Sequence, residues 1–338
     1  MSQTLLDQAG TVRDENAFDP AKILPFLKSQ IPDLADGPLE LRQFQGGASN
    51  LTYELRVGPR KMILRRPPTG TKPKSGHDMG REYRVMKALA PHFPCPRVLA
   101  YTEDTALLGA PFYVMDKVEG IILRRDLPKG LDYPPERARQ LCLNLVDTLI
   151  RLHTLDYQAI GLGDLGHPEG YVERQVKGWC ERFEKAWTDD VPKCEELMRW
   201  IKARQPADAP RPGLIHNDYR FDNAILDPND QLSIIGVLDW EMCTIGDPLM
   251  DLGGTLAYWI QADDPPFMQA TRMQPSHLPG MPTRDEIARY YFDQTGRDVG
   301  NYDFYYVFGL FRLAVIAQQI YYRWKLGQTK NPRFQQFG

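Results

Sequence analysis

The chain has 338 residues, 42% of them hydrophobic and 25% charged, with a formal net charge of −3. That length supports two domains or lobes with a sizeable core, and the near-neutral balance gives no electrostatic reason for binding nucleic acid or an anionic membrane. Five cysteines (95, 142, 180, 194 and 243), odd in number and without a CxxC pair, argue against a zinc site or disulfide frame and for reduced thiols. The opening "MSQTLLDQAGTVRDENAF" lacks the basic start and apolar core of a signal peptide. No run approaches the ~20 apolar residues needed to span a bilayer, so the expected location is the cytoplasm.

In chain order, Asp19-Pro20 reads as the N-cap and first position of a short helix to about Gln30. Between Leu39 and Leu64 the runs "LELRQF", "LTYELRV" and "KMILRR" are strand-like, and "GGASN" and "GPR" punctuate them as turns between antiparallel strands. A Gly/Pro-rich stretch leads into a helix at 79–90, followed by short strands near 97–102 and 111–115. Beyond Gly120, helical patterns dominate at 136–154, 170–187, 191–204, 248–260, 284–295 and 302–326, interrupted by a hairpin at about 224–238. Thr283 and Glu286 form a capping-box pattern. The Pro/Met-rich stretch Gln261–Pro282 is too long for a simple connector and reads as functional or mobile. The expected organisation is α+β in three parts: an N-terminal segment at 1–35, a small antiparallel-sheet lobe at 36–118 and a larger, mostly helical lobe at 119–338.

The chemistry concentrates in "HNDYRFDN", His216 to Asn223. Polar side chains packed so densely between apolar runs are costly unless they satisfy one another or bind something. Folding the hairpin about "DPND" brings Asn223 back opposite Asp239, with Asp218 on the loop entering the same end. A carboxylate and an amide oxygen, completed by water and phosphates, suit Mg²⁺, and one further carboxylate can accept a proton. In the first lobe, "QGGASNLTY" places two glycines where backbone amides can approach an anion. Glu82 shares a helical face with Val85, Met86 and Leu89, and a carboxylate on a core-facing stripe needs a cation. Arg65 or Arg66 is the nearest by chain order.

The order of these features matches the protein-kinase signature set, and "LIHNDYRFDNAIL", "VLDWE" and "GDPLMDLG" resemble the aminoglycoside phosphotransferase and choline kinase superfamily. The resemblance covers about residues 20 to 335 and implies a protein-kinase-like two-lobed fold. It implies Asp218 as catalytic base, Asn223 and Asp239 as Mg²⁺ ligands, and Gly46, Gly47, Ser49 and Asn50 in the phosphate loop. By the same resemblance Arg65, held by Glu82, stands where protein kinases carry a lysine. Met115, Asp116 and Val118 line the adenine segment. His216 supports the loop, and Asp247 holds the loop's backbone. ATP and Mg²⁺ are the implied cofactors. "GGASNLTYEL", "LRRPP", "REYRVM", "MQPSHLPGMPTRDE" and "FGLFRLAVIAQQIYYR" are most similar to kinase-like domains fused to acyl-CoA dehydrogenases and their free-standing bacterial relatives. That branch implies a hydroxyacyl-CoA of the 4-hydroxyacyl type as acceptor.

Other readings remain open at this level. The aromatic run from Tyr302 to Trp324 is either core packing or a choline-type cation cage. Arg124, Arg125 and Arg272 are available to CoA phosphates or are surface charge. The alternatives in function are a choline, aminoglycoside or other small-molecule kinase, a non-catalytic nucleotide-binding scaffold, and a metal-dependent hydrolase. The expected partner is a small molecule, with no nucleic acid and no membrane. Homodimerisation is left open.

Overall fold

A computed structural model of the chain describes residues 7–44, 50–68, 78–298, 300–329 and 331–338. The chain divides into two compact units, one within Met1–Asp132, Ile160–Leu162 and Phe221–Cys243, the other comprising Tyr133–Ala159, Gly163–Arg220 and Thr244–Gly338.

The first unit is built on a five-stranded antiparallel sheet of β1 (Leu39–Gln43), β2 (Leu51–Val57), β3 (Arg60–Arg66), β4 (Val98–Thr102) and β5 (Phe112–Asp116), in the order β1-β2-β3-β5-β4. Period-two alternation sends Tyr53, Leu55, Val57, Met62 and Leu64 into one core, as a strand with one packed face requires. Helix α1 (Leu24–Gln30) adds Leu27 to that core. Asp19 caps the turn before it by accepting from Ala21 N–H, but Pro20–Lys22 is 3₁₀ and the α-helix starts only at Leu24. Helix α2 (Met79–Leu89) is capped by Asp78 and buries Glu82, Val85, Met86 and Leu89, the stripe expected from its spacing. A one-turn helix α3 (Thr105–Leu108), too short to give a periodic signal, lies between β4 and β5.

The second unit is mainly helical: α4 (Pro135–Thr154), α5 (Tyr171–Ala186), α6 (Glu195–Arg204), α7 (Pro248–Ala257), α8 (Pro266–Thr271), α9 (Arg284–Thr295) and α10 (Tyr302–Lys325). A two-stranded pair, β6 (Gly213–Ile215) with β9 (Thr244–Gly246), sits among them. The hairpin β7 (Ala224–Leu226) and β8 (Ile234–Val237) belongs to the first unit, where Ile121 pairs with Leu226 and Val237 N–H donates to the Pro94 carbonyl. Helices α7 and α10 approach so closely that a Cβ at Gly253 would lie 2.2 Å from the Tyr305 carbonyl oxygen. The residue must be glycine to allow it. The aromatic run packs as core: Phe304, Tyr305, Phe308 and Phe311 are buried with Trp179 and Phe183. Thr283 and Glu286 form the expected capping box on α9. The five cysteines are free thiols, and among the described residues no helix is long and apolar enough to cross a membrane.

Candidate active site

In the first unit, Arg65 is the hub. It sits near the end of β3, paired across the sheet with Thr52 and Tyr113. Its guanidinium binds Glu82 Oε1 at 2.5 Å and Asp239 Oδ1 at 3.0 Å. Glu82 is fully buried. Burial pushes its carboxyl above the ordinary value despite the attraction of Arg65. Burial opposes the Arg65 charge too, but Glu82, Tyr113 and Asp239 together hold that guanidinium well above its usual range. A buried carboxylate survives only with such a partner. The partner is Arg65, since Arg66 turns instead to Tyr53, the Asn16 and Leu108 carbonyls and the Phe18 ring.

Asp239 stands at φ +67, ψ +61, a left-handed conformation that Asp tolerates better than most residues and that commonly marks a functional constraint. Leu238 N–H donates to the Asn223 carbonyl at 2.8 Å, so the hairpin's open end sets Asn223 beside the Leu238–Asp239 step, as its turn chemistry predicts. The residues brought to that step carry one carboxylate and one amide. Among the described residues no three His, Cys, Asp or Glu side chains are grouped to hold a metal. Hard oxygen donors few in number fit Mg²⁺, which keeps several waters, and do not fit zinc. Glu241, two residues on, accepts from the Asn50 side chain at 2.9 Å. That bond orients the last residue of the expected phosphate loop. Gly46, Gly47 and Ser49 lie outside the described residues.

The adenine segment Met115–Val118 follows β5. Asp116 N–H is taken by the Arg97 carbonyl, and its side chain binds Arg60 and Arg97. Val118 packs toward Gly236 of β8, and Gly120 lies against Ile225 so tightly that a Cβ there would meet its Cγ2 at 2.4 Å.

In the second unit, the loop His216–Arg220 is gripped from beneath. Asp251, 1% exposed on α7, accepts from His216 N–H at 2.7 Å and Asn217 N–H at 2.8 Å. Arg312 of α10 donates to the Asn217 carbonyl at 2.6 Å, which fixes the left-handed turn at Asn217, φ +67. Asp218 N–H donates to His216 Nδ1, a bond within the loop. Asp247 does not hold the loop's backbone: it caps α7 through Leu249 N–H and accepts from the Tyr305 hydroxyl. The residue in that role is Asp251, one helical turn further on. Its signal was present as an acid inside the apolar "PLMDLGG", the same signal that singles out Glu82. Arg312, a cation in an apolar helix, is the corresponding donor.

Asp251 also accepts from His153 Nε2 at 3.1 Å, while His153 Nδ1 faces the Tyr291 hydroxyl at 2.8 Å. This network assigns the proton to Nε2. Burial depresses the His153 value below its ordinary 6.5, outweighing Asp251. The unfolded chain therefore binds the extra proton first, and stability falls as pH drops below about 6.5. We expect the melting temperature to decline over that window in the wild type and to decline less steeply in His153→Gln; equal slopes in thermal melts from pH 7.5 to 5 would refute the assignment.

The Gln261–Pro282 stretch is anchored at its ends. Trp259 Nε1 donates to the Pro282 carbonyl, Arg284 binds Asp264 and the Trp259 carbonyl, and Ser276 binds the Ile260 carbonyl. It contains α8, which its paired prolines concealed. Met273 of this segment accepts from Arg220 Nη1 at 3.4 Å. Arg124 pairs with Asp7, and Arg272 is buried with a bond to the Gln274 carbonyl.

The profile of the phosphotransferase enzyme family, APH, matches residues 40–287. The chain belongs to this family. Acyl-CoA dehydrogenase family member 10 of Mus musculus is 36% identical over 97% of this chain, which spans 30% of that protein. A Ralstonia eutropha JMP134 protein classed with the aminoglycoside phosphotransferases is 31% identical, with a TM-score of 0.81 over 95% of this chain and 94% of its own. A thermostable mutant of aminoglycoside phosphotransferase APH(4)-Ia, solved with ADP and hygromycin B, shares the fold at 17% identity, with a TM-score of 0.55 over 91% and 92%. The chain thus has the two-lobed, protein-kinase-like α+β fold.

Proposed function

We propose that the protein transfers the γ-phosphoryl group of ATP to the hydroxyl of a hydroxyacyl-CoA. The observation that carries the kinase reading is the Glu82–Arg65–Asp239 bridge, which aims one fixed cation at the place where phosphate oxygens would be held. Arg65 binds α- and β-phosphate oxygens, Glu82 keeps it in place, and Asn50 with Gly46, Gly47 and Ser49 supplies the phosphate loop. The Asp116 carbonyl and Val118 N–H meet adenine beside Met115. Asn223 and Asp239 would hold Mg²⁺, which neutralises phosphate charge when bound. Asp218 orients the acceptor hydroxyl and takes its proton. Catalysis here is positioning and electrostatics rather than covalent chemistry.

Nucleotide binding is supported by the family and by the neighbour holding ADP. The acyl-CoA acceptor is supported by the likeness to the acyl-CoA dehydrogenase family member. It is supported also by the apolar Phe267 and Met273, 72% and 45% exposed on the 261–282 segment. With Arg124 paired and Arg272 buried, CoA phosphates have less claim on either of them than the acyl chain has on this surface. The decisive experiment measures ATP consumption across hydroxyacyl-CoAs, choline, sugars and aminoglycosides, and preference for any but the first overturns the acceptor.

Because Gln274 and Ser276 are buried in the segment, replacing it whole would strip cover from the core. Met273→Ser is the cleaner probe. It should raise the acceptor KM several-fold and leave the ATP KM within about twofold, the signature of lost acceptor binding. An unchanged acceptor KM would remove Met273 from the acceptor surface.

A further inference from the structure

The ion pair at Arg65 leaves two of its own polar atoms over. It joins Arg65 Nη1 to Glu82 Oε1, while Arg65 Nη2 goes to Asp239. Arg65 Nε and Glu82 Oε2 are buried and make no hydrogen bond among the described residues, and the same holds for the Tyr113 hydroxyl. Tyr113 stands opposite Arg65 across the β3–β5 pairing, so the two side chains leave the sheet on one face. It is fully buried. Beyond Arg65, the groups that favour the charged form of Glu82 are the Tyr113 hydroxyl and the Trp240 N–H. Burial drives the Tyr113 hydroxyl well above its ordinary range, which keeps it an O–H donor. Buried polar atoms left without partners are costly. Here a donor, an acceptor and a hydroxyl able to serve as either are gathered in one place.

We propose that Tyr113 is a positioning residue for the phosphate cation: in the nucleotide-bound enzyme its hydroxyl donates to Glu82 Oε2 and accepts from Arg65 Nε. This deepens the proposed function and rests on Arg65 binding the α- and β-phosphates. A guanidinium held at Nη1 alone can swing about that one bond. Held at Nη1 and Nε together, it has a fixed plane, and Nη2 is left to face the phosphates. A lysine ammonium is a point charge with no counterpart of Nε. The hydroxyl therefore matters only while an arginine fills the hub.

The test is a double-mutant cycle of Tyr113→Phe and Arg65→Lys, read by calorimetric titration with ATP, ADP and adenosine in the presence of Mg²⁺. Tyr113→Phe removes one oxygen and leaves the ring in the core. Losing a hydrogen bond to a charged group should weaken ATP and ADP binding about 10- to 100-fold. Adenosine, which lacks the phosphates, should bind within about twofold of wild type, a split that a merely structural role would not produce. Beside Arg65→Lys, the same substitution should cost ATP binding less than about twofold, because the pair no longer couples. An equal weakening of adenosine would mean a general disturbance of the pocket and would overturn the proposal. So would a full cost retained beside lysine. Arg65→Met tests the hub separately: if ATP binds that variant as well as wild type, the phosphate role of Arg65 itself fails. If Arg65→Met loses ATP while Tyr113→Phe binds it normally, only the Tyr113 assignment fails.

Discussion

Asp218→Asn should reduce phosphoryl transfer by about 10²–10⁴-fold, the usual worth of a positioned general base, while ATP affinity stays within about twofold. The substitution is isosteric, and Arg220 Nη2 approaches this carboxylate no closer than 3.4 Å. The loop itself is held from elsewhere, by Asp251 and Arg312 on backbone groups, so the fold should tolerate the change. Arg65, Asn223 and Asp239 belong to the other unit and are untouched, which is why rate and nucleotide binding should separate. Single-turnover kinetics alongside calorimetric titration with ATP would show the split. Turnover near that of the wild type would remove Asp218 from the catalytic role.

Asp239→Ala should abolish the Mg²⁺ dependence of nucleotide binding. Removing even an outer partner of a metal ligand commonly costs about 10- to 100-fold in metal affinity, and Asp239 is proposed as a direct ligand. Asp239 is a better target than Glu82, because removing one member of a buried ion pair costs about 3–5 kcal/mol of stability and would confuse unfolding with lost binding. The Asp239 side chain is one-third exposed, and Arg65 keeps Glu82 when it goes. Alanine at a left-handed φ costs roughly 1–2 kcal/mol, so Asp239→Asn, which suits that backbone, is the matched control for fold. Titration of ATP with and without Mg²⁺ reads the effect. Unchanged Mg·ATP affinity would exclude Asp239 from the metal site.

Much of this architecture is legible in the chain because burial forces charged groups into recognisable contexts. Glu82 announces itself on an apolar helical face, and the hairpin about Asp227–Asp230 brings Asn223 to the Leu238–Asp239 step by local turn chemistry alone. What escaped follows equally physical lines. Asp251 and Asp247 are both acids at the start of one helix, one turn apart, and sequence order does not tell which faces the loop. The Gln261–Pro282 stretch reads only as functional or mobile because its order comes from long-range bonds, Trp259 to Pro282 and Arg284 to Asp264, which leave no local signal. Helices α3 and α8 span four and six residues, too few turns for a period to emerge.

The fastening of that stretch at both ends bears on how far a change within it can spread. Trp259 and Arg284 close the segment at its neck, so changes at Phe267 or Met273 need not be transmitted to α7 or α9. On the proposed reading, a new acceptor would require changes at only a few exposed positions, with the His216–Arg220 loop left as it is. The neck works as a socket, and the residues beyond it are the exchangeable part.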